Sequence, residues 1–192
     1  MKSGRDLPTI ACAAQDDWAA WLEANHDTSQ GVWLELAKKG SGIRSLSAAD
    51  ALHVALCYGW IDGQAAPLDD RYWLQRYTPR TRRSKWSQKN RAAAIRLIES
   101  GEMKPSGLAA VEAAMEDGRW DAAYASPRNM TVPDDFQAML DANGAARTFF
   151  LTLDSQNRYA FLYRIQDAKR RETRLRRMKQ YIAMLATGET IY

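Results

Sequence analysis

Cysteine and histidine are scarce: Cys12, Cys57, His26 and His53 are all that 192 residues contain. The two cysteines stand far apart with no Cys-x-x-Cys or Cys/His ligand spacing around them, which argues against a disulfide framework and a structural zinc site. So few histidines also leave little basis for a nucleophilic triad or a zinc hydrolase. No window approaches the roughly 18 consecutive apolar residues of a membrane-crossing helix, so no membrane insertion is expected. The stretch from Met1 to Gln15 carries Lys2, Arg5 and Asp6 without an apolar run of signal-peptide length, and the expected location is the cytoplasm. Internal repeats and low-complexity tracts are missing too. No metal and no organic cofactor is expected.

What is present is ordinary in bulk and uneven in detail. Apolar residues make up 46% and charged residues 26%, enough for a folded core, and seven Trp with eight Tyr supply large rings to fill it. The formal net charge of +4 hides a segregation. From Arg71 to Arg96 there are nine Lys or Arg and no acid. From Arg164 to Lys179 eight basic residues face only Asp167 and Glu172. The rest of the chain is therefore net acidic, and concentrated positive charge attracts anions better than the same charge dispersed.

Periodicity predicts an α+β fold, with a small antiparallel sheet packed by helices and a helical C-terminal unit. Thr9–Ala13 reads as a short strand. Trp18, Trp21 and Leu22 fall at i, i+3 and i+4 of a helix over 15–25. Val32, Leu34 and Leu36 alternate as in a strand, and Lys39-Gly40-Ser41-Gly42 is a turn. Ser47 with Asp50 resembles a capping box that opens a helix ended by Gly59. Trp60–Gln64 and Tyr72–Thr78 read as strands around a turn at 65–71. Helices follow over 86–100 and 106–116. The irregular stretch rich in Pro127, Arg128, Asn129 and Pro133 suggests a linker, which divides the chain into 1–128 and 129–192. Helical periodicity then recurs over 134–142, 145–153, 155–167 and 169–186.

The chemistry-bearing segment runs from Cys57 to Asn90. Asp62, on or just after a strand, fits either a carboxylate paired with Arg76 or Arg80 and able to act as a general base, or a turn Asp satisfied by backbone amides beside Gly63. Arg76, Arg80, Arg82, Arg83 and Lys85 approach a helix start, where unpaired amides add to side-chain charge and phosphate or carboxylate would be welcome. The alternative is a solvated basic surface. Trp60, Trp73 and Trp86 interleave with Tyr58, Tyr72 and Tyr77; most are expected in the core, with Trp73 the most exposed. His53 lies four residues before Cys57 on one helix, so a lowered thiol pKa is conceivable, while a buried structural thiol is the better expectation. A second basic surface, Lys169, Arg170, Arg174 and Arg177, shares its helix with an apolar stripe of Met178, Ile182 and Leu185.

The segments Cys57-Tyr58-Gly59-Trp60-Ile61-Asp62-Gly63, Gln75 to Arg80, Ser84 to Asn90 and Gly101 to Gly107, followed by Ala168 to Arg177, resemble the YdeI/OmpD-associated, or bacteriocin-protection, protein family. That resemblance implies an α+β N-terminal part, a helical C-terminal part and an association with stress or resistance to toxic peptides. It implies no catalytic residue or cofactor. Three functions remain open on these grounds. One is binding of an anionic small molecule or nucleic acid through Arg76, Arg80, Lys85, Asn90 and Trp73. A second is an enzyme using Asp62 as acid or base with an arginine holding a charged substrate. The third is a protein-interaction module with an exposed aromatic patch.

Overall fold

The computed structural model describes residues 7–192; Lys2, Arg5 and Asp6 lie outside the described residues. The elements run β1 (Thr9–Ala11), α1 (Gln15–Asn25), β2 (Val32–Ala37), α2 (Ala48–Cys57), β3 (Trp60–Pro67), β4 (Tyr72–Pro79), α3 (Gln88–Glu99), α4 (Pro105–Glu116), α5 (Asp134–Asp141), α6 (Gly144–Thr152), α7 (Ser155–Gln166) and α8 (Arg171–Ala186). Two compact units result, one comprising the chain to Trp86 with Asn90–Ala123, the other Ser87–Lys89 with Tyr124–Tyr192. The division thus falls at Ala123/Tyr124, ahead of the join expected at 128/129 from the linker composition.

In the first unit the four strands lie in the order β1-β2-β4-β3. The sheet is mixed, a departure from the antiparallel sheet expected: β1 pairs with β2 in parallel, while β2–β4 and β3–β4 are antiparallel. The reason is α1, which carries the chain from the end of β1 back to its start so that β2 must run the same way. Alternation then sorts the side chains. Val32, Leu34 and Leu36 of β2 are buried together with Tyr77 of β4, and Trp33, Glu35 and Ala37 occupy the other face.

Trp18 of α1 is the centre of this core. Its ring lies 5.4 Å from Tyr77, 6.4 Å from Trp60 and 5.3 Å from Trp21, and its Nε1 donates to Ala51 O of α2 at 3.0 Å. Burying a ring of this size with its one polar atom satisfied contributes several kcal/mol, on the order of 25 cal/mol per Å² of apolar surface. Ser47 caps α2 as its spacing predicts, accepting from Asp50 N. Strand β3 runs past the turn expected at 65–71 because a bulge between Asp62 and Ala65 absorbs Gly63 and Gln64 and restores pairing to β4. Buried Gln75 holds that bulge, its Nε2 donating to Gly63 O at 3.0 Å and Gln64 O at 3.3 Å.

The second unit contains four helices, with α8 packed on α5, α6 and α7. Its core comprises Phe136, Leu140, Phe150, Phe161, Leu162, Ile165, Met178, Tyr181 and Leu185. Asn143 and Asp154 cap α6 and α7 through Ala146 N and Asn157 N. Among the described residues no helix is long and apolar enough to cross a membrane.

Candidate functional site

Two sequence segments far apart in the chain meet at backbone contact. Gly59 ends α2 at φ +74, and a Cβ there would sit 2.8 Å from Ser106 O. A Cβ on Gly107 would lie 2.3 Å from Cys57 O and 2.4 Å from Met103 Sδ. Only glycine lets the first turn of α4 press this closely on the α2–β3 junction. Lys104 N, at the N-cap of α4, donates to Cys57 O at 3.0 Å, and Pro105 fills N1, where a missing N–H costs nothing. No side chain caps the first-turn amides of α4.

Beside this contact β4 delivers Arg80, whose N donates to Gly59 O at 2.9 Å. Its guanidinium lies 3.5 Å from the centre of the buried Trp86 ring, and Nη1 donates to Lys85 O at 3.2 Å. The connection from Thr81 to Ser84 is a tight turn in which Thr81 N donates to Ser84 Oγ and Ser84 N to Thr81 O. Arg119 fastens that turn to the end of α4. Its Nε forks onto Asp117, Nη1 reaches Thr81 O and Ser84 O, and Nη2 reaches Ala113 O.

Between these parts lies a cleft of about 380 Å³. His26, Tyr58, Arg80, Arg82, Ser106 and Arg119 line it over a floor of Ala109, Ala110 and Ala113, and Asp27 is the one carboxylate on its wall. Arg119 is committed to the turn, and Arg80 and exposed Arg82 bring further positive charge to the wall. Ser106 Oγ is buried without a hydrogen-bond partner among the described residues. His26 Nδ1 lies 2.9 Å from Leu22 O, a carbonyl that can only accept, so Nδ1 carries the hydrogen and Nε2 is the atom left to bond. Tyr58 donates to Glu23 at 2.9 Å, and burial with that bond pushes its phenol up to about 12, so it enters the cleft as a neutral ring.

Of the charged residues expected to form one site, Arg80 and Arg82 line this cleft. Asp62 registers opposite Tyr77 on β4, so its side chain shares the Tyr77 face and Arg76, the next residue, projects from the opposite one. The Asp62–Arg76 pair is therefore excluded by strand alternation. Asp62 is exposed on an edge strand and, among the described residues, forms no ion pair; burial, with the nearby Asp62 carboxylate, raises the Tyr77 phenol well above its usual value. Arg76 lies across Gly63, whose added Cβ would meet its Nε at 3.2 Å. Lys85 is exposed, Asn90 is buried in α3, and half-buried Trp73 borders a separate groove with Lys38, Lys39 and Ser41. Neither this cleft, nor the Trp73 groove, nor the cleft beside Arg176 in the second unit is lined by Asp62 or Asn90, whose convergence with an arginine the enzyme reading needs.

The Cys57–His53 alternative resolves toward a structural thiol. Cys57 Sγ donates to His53 O at 3.4 Å, while the His53 ring turns to Glu102 at 2.9 Å. Burial, with a smaller contribution from Glu102, pushes the thiol up to about 11. Of the second basic group, Arg174 forks onto Asp135 at 2.7 and 2.9 Å and Arg177 donates to Arg164 O, whereas Lys169 and Arg170 are exposed ahead of α8. The residues that periodicity and charge counting passed over are His26, Ser106 and Arg119. Pro105-Ser106-Gly107 at a helix start was the available signal for Ser106; the Arg119 clamp joins residues too far apart in sequence to leave one.

Comparison with protein families assigns the two parts of the chain separately. Residues 10–110 match a family described as a domain of unknown function (DUF8412). Residues 129–188 match the family described as Bacteriocin-protection, YdeI or OmpD-Associated. The segments from Cys57 to Gly107 that suggested the second family lie within the first match, and only Ala168 to Arg177 falls inside the second. No curated protein and no solved structure matches the chain. The first match spans just over half the chain, which thus belongs to the DUF8412 family, and the helical second unit contains the stretch that matches the Bacteriocin-protection, YdeI or OmpD-Associated family.

Proposed function

We propose that the protein binds a phosphate-containing ligand in the first-unit cleft, as part of the stress or bacteriocin protection suggested by the family of its second unit. The observation that carries this reading is the pairing of Arg80, held on the Trp86 face, with the buried unpartnered hydroxyl of Ser106 at the uncapped start of α4. Buried hydroxyls are seldom left unsatisfied, and an anion bonded to Ser106 Oγ would meet the positive end of the helix dipole as well. Arg80 contributes positive charge to the wall of the cleft, and its stacking on Trp86 restricts its motion before a ligand arrives. The volume is ample for a phosphate joined to a small organic group.

Calorimetric titration of the full chain with a nucleoside monophosphate at low salt tests this. Saturable binding is expected, weakened about tenfold or more by Arg80→Gln and by Arg82→Gln, since one charge-assisted hydrogen bond contributes roughly 1.5–3 kcal/mol. Wild-type affinity in both variants would overturn the reading. An affinity for single-stranded oligonucleotide that falls steeply with salt would identify the phosphate as part of a nucleic acid.

A further inference from the structure

The second unit uses only part of its own basic segment. Arg174 is taken by Asp135 and by Ile165 O at 3.1 Å, and Arg177 by Arg164 O. Both carbonyls belong to the last turn of α7, where unpaired C=O groups and the negative end of the helix dipole draw cations. Helix geometry thus accounts for those two arginines. It does not account for Arg164 and Arg176, which form no ion pair among the described residues.

Arg164, Arg176 and Arg177 nevertheless border one cleft of about 370 Å³, together with Gln180, Tyr181 and Thr190. Among the described residues no carboxylate side chain lines it. Two acids of the unit are paired with other arginines, Asp135 with Arg174 and Asp141 with Arg147. Arg164 is positioned over the Tyr192 ring at 5.6 Å, which holds the guanidinium without cancelling its charge. Three like charges around one concavity repel one another, and the field they sum to is focused by the low-dielectric wall behind them. A ligand that supplies several anionic oxygens removes that repulsion, and the Gln180 amide offers further donors beside it.

We infer that this cleft is a second anion site, which takes a phosphorylated small molecule and acts independently of the first-unit cleft. Its lining is formed by α7, α8 and the segment after α8, all within the matched bacteriocin-protection domain or directly beyond it. The cleft is several times the space of a few water molecules, so the phosphate would carry an organic group in contact with Met184 and Ile191.

The experiment is a titration of the 15N-labelled full chain with inorganic pyrophosphate, followed by amide shifts. Saturable movement of the Gln180, Tyr181, Thr190 and Ile191 amides is expected, with affinity lowered at least tenfold in Arg176→Gln and in Arg164→Gln. Lys179→Gln removes the same charge from an exposed position outside the cleft and is expected to bind as the wild type does. Unchanged positions of the Phe136 and Phe161 amides in the variants would show that the fold is retained. Ser106 and Gly107 report the first-unit cleft in the same spectra, so either site can fail while the other stands. A wild type with no saturable shift at Gln180 to Ile191, or a Lys179→Gln variant weakened as much as Arg176→Gln, would overturn the inference.

Discussion

The two units are filled by different rings. All seven tryptophans belong to the first unit and all four phenylalanines to the second. An indole carries an N–H that favours a partner when buried, and the first unit supplies carbonyls to two of them, Ala51 O to Trp18 and His26 O to Trp60, while Trp86 Nε1 is buried without one among the described residues. In a bundle of four short helices the carbonyls away from the helix ends are taken by the helices themselves, and Phe136, Phe150 and Phe161 ask nothing of them. The arginines do not divide this way. Both units lay them on rings, Arg80 on Trp86 and Arg91 on Trp120 in the first and Arg164 on Tyr192 in the second, and each forks one onto a carboxylate, Arg119 onto Asp117 and Arg174 onto Asp135. An acid-free stretch therefore does not mean a set of unoccupied cations.

The sharpest way to break this comparison is Trp18→Ala. Removing the ring that touches Trp21, Trp60 and Tyr77 is expected to cost about 3–5 kcal/mol. Because every tryptophan lies in the first unit, urea unfolding followed by tryptophan fluorescence reads that unit alone, while helical circular dichroism includes the second. The fluorescence midpoint should fall and a separate circular-dichroism transition should persist; a common fall of both would show that the units unfold as one.

Gly107→Ala is the next largest effect. Its Cβ would stand 2.3 Å from Cys57 O, and separating α4 from the α2–β3 junction is expected to cost about 1–3 kcal/mol. The same change at Gly144 meets nothing within 4 Å, so Gly144→Ala serves as the control from the second unit. Loss of fluorescence-monitored stability in the first variant and none in the second is the expected pattern.

The smallest effect belongs to the second unit and depends on pH. Hydrogen bonds from Arg174, together with its charge, hold the Asp135 carboxyl below its ordinary value. A carboxyl whose folded pKa is depressed stabilises the fold above the unfolded value, near 4, and loses that contribution as pH falls through the lower folded value. The pair is partly solvated, so Asp135→Asn should cost about 1 kcal/mol or less at pH 7 and should flatten the acid side of the helical stability profile. An unchanged acid profile would remove the Arg174–Asp135 fork from the account of this unit.

Much of the fold could be read from local pattern. Helix α1 follows from Trp18, Trp21 and Leu22, the start of α2 from Ser47 and Asp50, and its end from Gly59, because each signal acts within one or two turns of the chain. The buried fate of Trp60 and Trp86 followed from the size of their rings. The candidate site was less legible. Asp62 and Arg76 look like partners in a list of charged residues, and only the register that sets Asp62 against Tyr77 separates them. Ser106 and Arg119 gain their roles from chain segments more than thirty residues away, Gly59 meeting Ser106 and the Thr81–Ser84 turn meeting Arg119.

By itself the sequence determined the order of helices and strands, the rings available to each core and the two concentrations of positive charge, since periodicity, capping and composition act locally. Tertiary structure alone decided which of those charges are spent on carbonyls, rings and Asp135 and which border a cleft. Availability depends on the partners that strand register and helix packing bring within hydrogen-bonding distance, and those contacts are not encoded in any one stretch of the chain.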